Sequence, residues 1–381
     1  MKKNFLFAAV ALAAMTSCSN DEVVNVNNGD AISFRASLDK AISRGAETTV
    51  KNLNAFNVTA VVTGQGKNYF TDLSVTSNDE GATWNTASTY YWPSTPLAFF
   101  AYAPQNGIGT VNISDTEKKV TGFSPAQTVA DQKDFVIAYN TGTKVANEAN
   151  GVALNFKHAL SQIKVQAKCL NPNIKVEVKG LRIVNAAAKA DFTFPIDGVT
   201  VADYTLQQSQ WGNLTEKDDY TKAYKLQGES VILDETPKSI MFGDNNFMLI
   251  PQQLTAWKNN TETTGAYLAV LCRISNKNGA DEVLLYPEPT ADNAKTDKYA
   301  YSAVAINTNW LPGKKYTYTL TFCGDGGGAG RIDPNPDPTD PTVDPTPIPG
   351  KDKGDLILGN PIKFTVTVDN WTEESKDVKM D

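Results

Sequence analysis

Apolar and polar residues alternate along many short segments of this chain. Such period-two runs occur at Phe56–Val62, Lys164–Ala167, Lys175–Val178, Tyr267–Ile274 and Tyr316–Phe322. Because successive side chains of a strand point to opposite faces, each run predicts a strand with one buried face. Gly, Asn, Asp and Pro separate the runs at short intervals, and convincing amphipathic helices are scarce. The pattern predicts an all-β fold of antiparallel sandwiches.

A polar, turn-rich stretch interrupts the strands near the middle of the chain. Residues 140–151 read NTGTKVANEANG, a composition that is typical of a loop. A chain of 381 residues is long enough for two or three domains at ~150 residues per domain. We therefore predict a domain boundary after residue 150.

The two ends of the chain carry the same alternating pattern. Ala31–Asp39 (AISFRASLD) and Pro361–Asp369 (PIKFTVTVD) both read Ile-x-Phe-x-apolar-x-apolar-Asp. Each pattern places four apolar side chains on one strand face, so both strands could occupy the same groove. We expect the first to plug a groove and the second to replace it in a neighbouring subunit; chance similarity between strands is the alternative. The plug residues are Ile32, Phe34, Ala36 and Leu38, and the donor residues are Ile362, Phe364, Val366 and Val368.

A candidate cleavage site follows the plug strand. Arginine is rare in the chain, and Arg44 precedes Gly45 in a polar stretch. Loop tips with small residues are preferred sites of proteolysis. An Arg-specific protease acting at this bond would release the plug strand. A surface arginine without such a role is the alternative, and cleavage at Arg331 would instead remove the donor strand.

The first residues predict an export signal. Two lysines precede the apolar run Phe5–Ala14, which is shorter than the ~20 residues that a membrane-spanning helix needs. The run ends at MTSC, where small residues before Cys18 resemble a bacterial lipobox, although Met15 replaces the more usual leucine. We expect residues 1–17 to be removed and Cys18 to be lipidated, which would anchor the chain in a membrane. An ordinary signal peptide with an incidental cysteine is the alternative.

Residues 324–354 differ from the rest in composition. Seven Gly, seven Pro and six Asp lie among these residues, and apolar side chains are rare. Such a segment is expected to lack a packed core and to form an extended, partly stiff linker. The predicted donor strand would then lie at the end of a long tether.

Charge and residue counts limit the kinds of partner and of chemical site that this chain can have. The net charge of −7 argues against a nucleic-acid partner, whose binding protein would be basic. A single histidine, His158, excludes multi-histidine metal sites, and no CxxC pair, Gly-rich phosphate loop or nucleophile motif is present. We therefore expect no catalytic residue, no metal and no cofactor. Besides Cys18 the chain has three cysteines, which are Cys169, Cys272 and Cys323. The sequence allows two arrangements, in which all three are buried free thiols or two of them form a disulfide.

Five further segments carry a resemblance to a known family. They read LNAFNVTA (53–60), YYWP followed by LAFFAYAP (90–104), DFVIA (134–138), LNFKHALSQI (154–163) and VDNW (368–371). Together with the leader they resemble the fimbrillin family of Bacteroidales, the FimA/Mfa-like subunits of type V pili. The resemblance extends over nearly the whole chain.

This resemblance implies two tandem transthyretin-like antiparallel β-sandwich domains, with the Pro/Asp-rich linker before the last strands. It implies export as an outer-membrane lipoprotein through Cys18, maturation by an Arg-specific protease at Arg44–Gly45, and head-to-tail polymerisation with other fimbrial subunits, serving adhesion. The alternatives are a fimbrial anchor or accessory subunit, a non-polymerising lipoprotein that binds glycans, and a carbohydrate-active enzyme. The corresponding regions are a signal peptide (1–17), a propeptide with the plug strand (18–44), two sandwiches (45–150 and 151–323), the linker (324–354) and the donor segment (355–381).

Overall fold

The computed structural model describes nine stretches of the chain, and the structural statements below concern these stretches. They are residues 30–38, 52–195, 204–215, 223–258, 264–278, 281–289, 298–324, 328–336 and 339–371.

Strands dominate the described residues. One short α-helix, α1 (Lys144–Asn147), and two 3-10 turns, Val129–Asp131 and Gln208–Gln210, accompany them within these stretches. None of the helices described has the length and apolar character needed to cross a membrane. The strands are β1 (Phe34–Leu38), β2 (Ala55–Val62), β3 (Lys67–Thr76), β4 (Asn85–Thr86), β5 (Leu97–Ala103), β6 (Thr110–Ile113), β7 (Lys118–Phe123), β8 (Val136–Gly142), β9 (Val152–His158), β10 (Ser161–Cys169), β11 (Ile174–Val184), β12 (Lys189–Thr193), β13 (Trp211–Thr215), β14 (Tyr224–Ile232), β15 (Lys238–Ser239), β16 (Phe247–Leu249), β17 (Tyr267–Asn278), β18 (Asp281–Tyr286), β19 (Ala300–Ala305), β20 (Lys314–Phe322), β21 (Arg331–Ile332) and β22 (Lys363–Asn370).

The first part of the chain builds a seven-stranded sheet in the order β1-β9-β8-β5-β2-β3-β4. All neighbours in it run antiparallel except β1 and β9, which are parallel. The central strand β5 is buried along its whole length because both faces of the sheet are covered. Phe99 of β5 lies in one core cluster and Phe100 in another.

A four-stranded sheet in the order β13-β12-β7-β6 packs on the Phe100 face. Phe100 and Phe194 meet edge to face with ring centroids 6.1 Å apart, and Phe135 meets Phe192 in the same way at 5.2 Å. These contacts join residues that precede and follow residue 150 in the sequence. The interior between the two sheets is therefore a sandwich core rich in aromatic side chains.

The second part of the chain forms another pair of sheets. One has the order β15-β10-β20-β22, with β16 beside β10, and the other has the order β14-β11-β17-β19-β21, with β18 beside β17. Val165, Leu268 and Leu320 belong to the core cluster between them. These packed sheets confirm the predicted all-β class, whereas the tandem transthyretin-like arrangement and the boundary after residue 150 stay predictions. Strand β9 follows that boundary yet pairs with β8 and β1 of the first sheet.

The Pro- and Asp-rich segment differs from the extended tether that we expected. Its few apolar residues are spaced so that Ala329, Ile332 and Val343 are all buried. Strand β21 pairs with β19, and Asp333 forms a buried ion pair with Arg182. Composition predicted poor packing because it counts apolar residues and does not show which partners they meet. The described part of this segment is folded onto the second pair of sheets.

Candidate strand-exchange site

Strand β1 closes one edge of the seven-stranded sheet. It pairs with β9 from Phe34↔Val152 to Leu38↔Phe156. Burial alternates along it as the sequence pattern predicts, with Arg35 and Ser37 exposed between buried neighbours. The four predicted plug residues are between 1% and 6% exposed: Ile32, Phe34, Ala36 and Leu38. One face of β1 therefore fills the core of the sheet.

Phe34 is the centre of this contact. Its ring meets Phe99 edge to face at 5.7 Å and Phe56 at 6.3 Å between centroids. Phe56 and Phe99 are themselves fully buried. Because edge-to-face pairs contribute about 0.5–1.5 kcal/mol each beyond area burial, Phe34 adds to the contact more than its buried area alone.

Backbone contacts fix the register of β1. The N–H of Ile32 donates to the carbonyl oxygen of Tyr90 at 2.7 Å, and the N–H of Val152 donates to that of Ser33 at 2.8 Å. Gly151 has a φ of +70°, and a Cβ built there would lie 2.8 Å from Ser33 Oγ. A glycine at this position therefore lets β1 approach the turn before β9.

Burial of β1 is large on the scale of protein stability. At about 1.5–3 kcal/mol for each large apolar side chain, Ile32, Phe34 and Leu38 together contribute about 4.5–9 kcal/mol. A domain is stable by only ~5–15 kcal/mol in total. Without β1, the sheet would expose apolar side chains and the unpaired edge of β9, so the groove would be a strong acceptor for another strand.

Strand β22 carries three of the four predicted donor residues, with Ile362 lying just before it, and pairs antiparallel with β20, from Thr321↔Lys363 to Lys314↔Asn370. Its burial is incomplete, although its sequence pattern matches that of β1. Ile362 is 5% exposed, Phe364 and Val366 are half-buried, and Val368 is 51% exposed. The apolar face of β22 is therefore only partly covered in its own molecule.

The last described residue, Trp371, anchors the far end of β22. Its indole stacks on the His158 ring with centroids 4.2 Å apart and an interplanar angle of 7°. The backbone N–H of Trp371 donates to the carbonyl oxygen of Gly313 at 2.9 Å. His158 Nδ1 lies 2.7 Å from Asp134 Oδ2 in the same interior. This stack gives His158 a structural contact that the sequence pattern did not reveal, since 213 positions separate the two rings.

A tight turn separates β22 from the folded segment before it. Ile357 is fully buried, and its N–H donates to the carbonyl oxygen of Gly330 at 2.9 Å. Leu358 and Gly359 then adopt φ values of 51° and 84°. The contacts continue beyond this turn, since the carbonyl oxygen of Pro361 accepts from the N–H of Gly328 at 2.9 Å, and β22 begins at Lys363.

A family model described as fimbrillin-like matches residues 43–333 of this chain. The chain belongs to the fimbrillin-like family. This membership, predicted from the sequence, supports a role as a subunit of a cell-surface fimbrium or in cell adhesion. No curated protein matches the chain.

Solved structures similar to this fimbrillin-like chain come from species of Bacteroides and Parabacteroides. A fimbrial protein from Bacteroides vulgatus ATCC 8482 is 15% identical, with a TM-score of 0.48, and the match covers 90% of this chain and 99% of that one. A candidate cell adhesion protein from Parabacteroides distasonis ATCC 8503 is 8% identical, with a TM-score of 0.49, and the match covers 91% and 99% of the two chains.

Three predicted site residues of the fimbrillin-like chain lie outside the described residues. These are the lipidation candidate Cys18 and the two residues of the cleavage candidate, Arg44 and Gly45. Their roles stay predictions. Strand β1 ends at Leu38, six positions before Arg44 in the sequence.

Most aromatic side chains in residues 90–100 of the fimbrillin-like chain lie in the core. Phe99 and Phe100 are fully buried and Trp92 is 9% exposed, while Tyr91 is 61% exposed. Among the described residues, no group of three or more His, Cys, Asp or Glu side chains is placed to hold a metal ion.

Proposed function

We propose that this chain is a structural subunit of a cell-surface fimbrium, assembled head to tail by strand exchange and serving adhesion. In the proposed assembly, β1 plugs a groove until it is removed, and β22 of a neighbouring subunit then fills the groove. One observation carries the proposal. Two strands with the same order of apolar residues differ in burial, since β1 is buried along one face and β22 is covered only in part.

The order of residues supports this exchange. Ile362 and Phe364 repeat Ile32 and Phe34, so a donor entering in the same direction as β1 would present matching side chains to the groove. Val366 would replace the smaller Ala36, and a tight core resists added volume at a cost of about 1–3 kcal/mol. We therefore expect the ends of the donor to fit the groove well and its centre to require a small shift.

Maturation would supply the empty groove. In the proposed pathway the chain is exported with Cys18 lipidated and attached to the outer membrane. An Arg-specific protease then cuts between Arg44 and Gly45 and releases residues 18–44, which include both the anchor and β1.

The contact is heterologous, because a groove on one subunit takes a tail from the next. Such a contact does not close on itself and extends into a filament of identical or related subunits. A fimbrial anchor or accessory subunit is the alternative within the same scheme, and it differs in whether the groove, the tail or both are used.

The test is assembly of purified chain after treatment with an Arg-specific protease. We expect a ladder of multimers on a mild SDS gel, since strand-exchanged contacts resist detergent. Arg44→Ala should abolish the ladder because β1 stays in place, whereas the matched control Arg35→Ala, at an exposed position within β1, should leave it intact.

A second variant tests the donor. A chain that ends at Asn360 lacks β22 but retains the folded Pro- and Asp-rich segment, and it should be cleaved normally without forming a ladder. Ladders that persist in both Arg44→Ala and the shortened chain would contradict the proposal. A cleaved sample that stays monomeric and binds polysaccharide would favour the glycan-binding lipoprotein.

A further inference from the structure

Two cysteines meet at the ends of neighbouring strands in the second part of the chain. Strand β10 ends at Cys169 and β20 ends at Phe322, and these two residues are partners in parallel register. Cys323 follows directly. With strands ~4.8 Å apart and a rise of ~3.3 Å per residue, the Cα atoms of Cys169 and Cys323 are about 5.8 Å apart. That is within the ~4.4–6.8 Å that disulfide-bonded cysteines span.

The backbone at Cys323 turns its side chain toward Cys169. In a regular strand, Cys323 would point away from the core that receives Phe322. Its φ of 49° lies in the left-handed region, which is uncommon for residues other than glycine, and this breaks the alternation. Its N–H donates to the carbonyl oxygen of Gly328 at 3.0 Å, which holds the turn. As a result, Cys323 packs against the same core cluster that contains Cys169.

The two thiols are hydrogen-bond partners and differ in exposure. The contact with Cys323 lowers the pKa of Cys169 to about 7 and raises the pKa of Cys323. Cys169 is 4% exposed and Cys323 is half-buried, so a reagent reaches Cys323 first. Complete burial raises the pKa of the third cysteine, Cys272, which makes that thiol unreactive.

We propose that Cys169 and Cys323 form an intramolecular disulfide when the chain meets a donor of the thiol–disulfide exchange class, while Cys272 stays reduced. Cys323, the more accessible of the two, loses its proton to solvent and attacks the donor disulfide, which forms a mixed disulfide and releases one donor thiolate that takes up a proton. The Cys169 thiolate then attacks the Cys323 sulfur and releases the second. Two cysteines are oxidised as one donor disulfide is reduced to two thiols.

The position of this bond suggests its use in a filament, a consequence that rests on the proposed function. Strand β20 holds β22 on one edge and β10 on the other, and the chain leaves β20 toward the tail at Cys323. Tension on a donated β22 would first load the folded segment before it and, once that segment opened, would reach β20 at this exit. A bond to Cys169 would pass that load to β10 as well, so that β20 would not be pulled out alone.

The test uses the full chain carrying Cys18→Ser, equilibrated with oxidised glutathione, alkylated under denaturing conditions and mapped by peptide mass spectrometry. We expect a peptide link between Cys169 and Cys323, with Cys272 alkylated. The oxidised protein should melt at least ~5 °C above the reduced one, because the bond constrains a long loop of the unfolded chain. Cys272→Ala should keep the link and the shift, and Cys323→Ala should lose both.

Three outcomes would overturn the disulfide: alkylation of both Cys169 and Cys323 after oxidation, a link that includes Cys272, or a link between chains. Because the assay reads monomeric protein before any protease is added, its result is independent of strand exchange. Failure of the ladder experiment would therefore leave the disulfide standing, and the reverse also holds.

Discussion

Strands β1 and β22 share a sequence pattern but differ in the direction of their partner strand and in the burial of their apolar face. β1 runs parallel to β9, and its apolar side chains lie between other buried rings. β22 runs antiparallel to β20, and its apolar face turns from buried at Ile362 to half-exposed at Val368. The comparison shows that alternation determines which side chains share a face, whereas the partner strand and the covering layer determine how well that face is buried.

This difference bears on which strand can leave its place. A strand that fills a core is costly to remove, so β1 needs an irreversible step such as cleavage of the chain. A strand with an uncovered face gains by moving to a groove that buries it. In the proposed exchange, this asymmetry would set the direction, from the tail of one subunit to the emptied groove of the next.

The largest expected effect tests the comparison at its matched phenylalanines. Phe34→Ala should lower the free energy of unfolding by about 3–5 kcal/mol, because it empties a core position. Phe364→Ala should cost only about 1–2 kcal/mol, because that side chain is half-buried. Urea denaturation followed by tryptophan fluorescence measures both. Equal losses in the two variants would remove the asymmetry on which the direction of exchange depends.

A second test concerns the contact that holds β22 in its own subunit. Trp371→Ala removes a side chain that is 3% exposed and stacks on His158, and we expect a loss of about 2–3 kcal/mol. Because β22 is an edge strand, the loss should appear as local opening. Hydrogen exchange should speed up in β22 and leave β1 protected, and a loss of protection across both strands would show that the tail is integral to the whole fold.

Sequence reasoning reached the all-β class and the buried face of β1 because alternation is local, and a face can be recognised within nine residues. It did not predict the packing of the Pro- and Asp-rich segment. That packing depends on Arg182 and Asp333, which 151 positions separate. It also did not predict the Trp371–His158 stack, whose partners are distant in the sequence, or the left-handed turn at Cys323, because a positive φ is uncommon at a cysteine.

A third test probes how closely β1 approaches the turn before β9. Gly151→Ala would place a Cβ 2.8 Å from Ser33 Oγ and 3.1 Å from its carbonyl oxygen. Gly64 has a similar φ of +73° and nothing within 4 Å of a Cβ, so Gly64→Ala is the matched control for backbone strain alone. We expect Gly151→Ala to lose about 1–2 kcal/mol more than the control. Equal melting curves would mean that β1 does not press on this turn.

The smallest expected effect on stability gives the sharpest test of the exchange. Val368 is 51% exposed in its own subunit, so Val368→Thr should change the free energy of unfolding by less than ~0.5 kcal/mol. In a neighbour's groove the same side chain would take the place of Leu38, which is 6% exposed. A buried hydroxyl without a partner costs about 1–3 kcal/mol, so the variant should form ladders at least about fivefold less readily after protease treatment.

Thr367→Ser is the matched control for this variant, because Thr367 is exposed on the opposite face of β22. It should leave both unfolding and ladders unchanged. If Val368→Thr also leaves the ladders unchanged, the exposed end of β22 does not enter a groove, and any exchange uses only the residues near Ile362. If Val368→Thr lowers the free energy of unfolding as well, β22 is better buried in its own subunit than the comparison with β1 states. The driving force for its transfer to a neighbour then disappears.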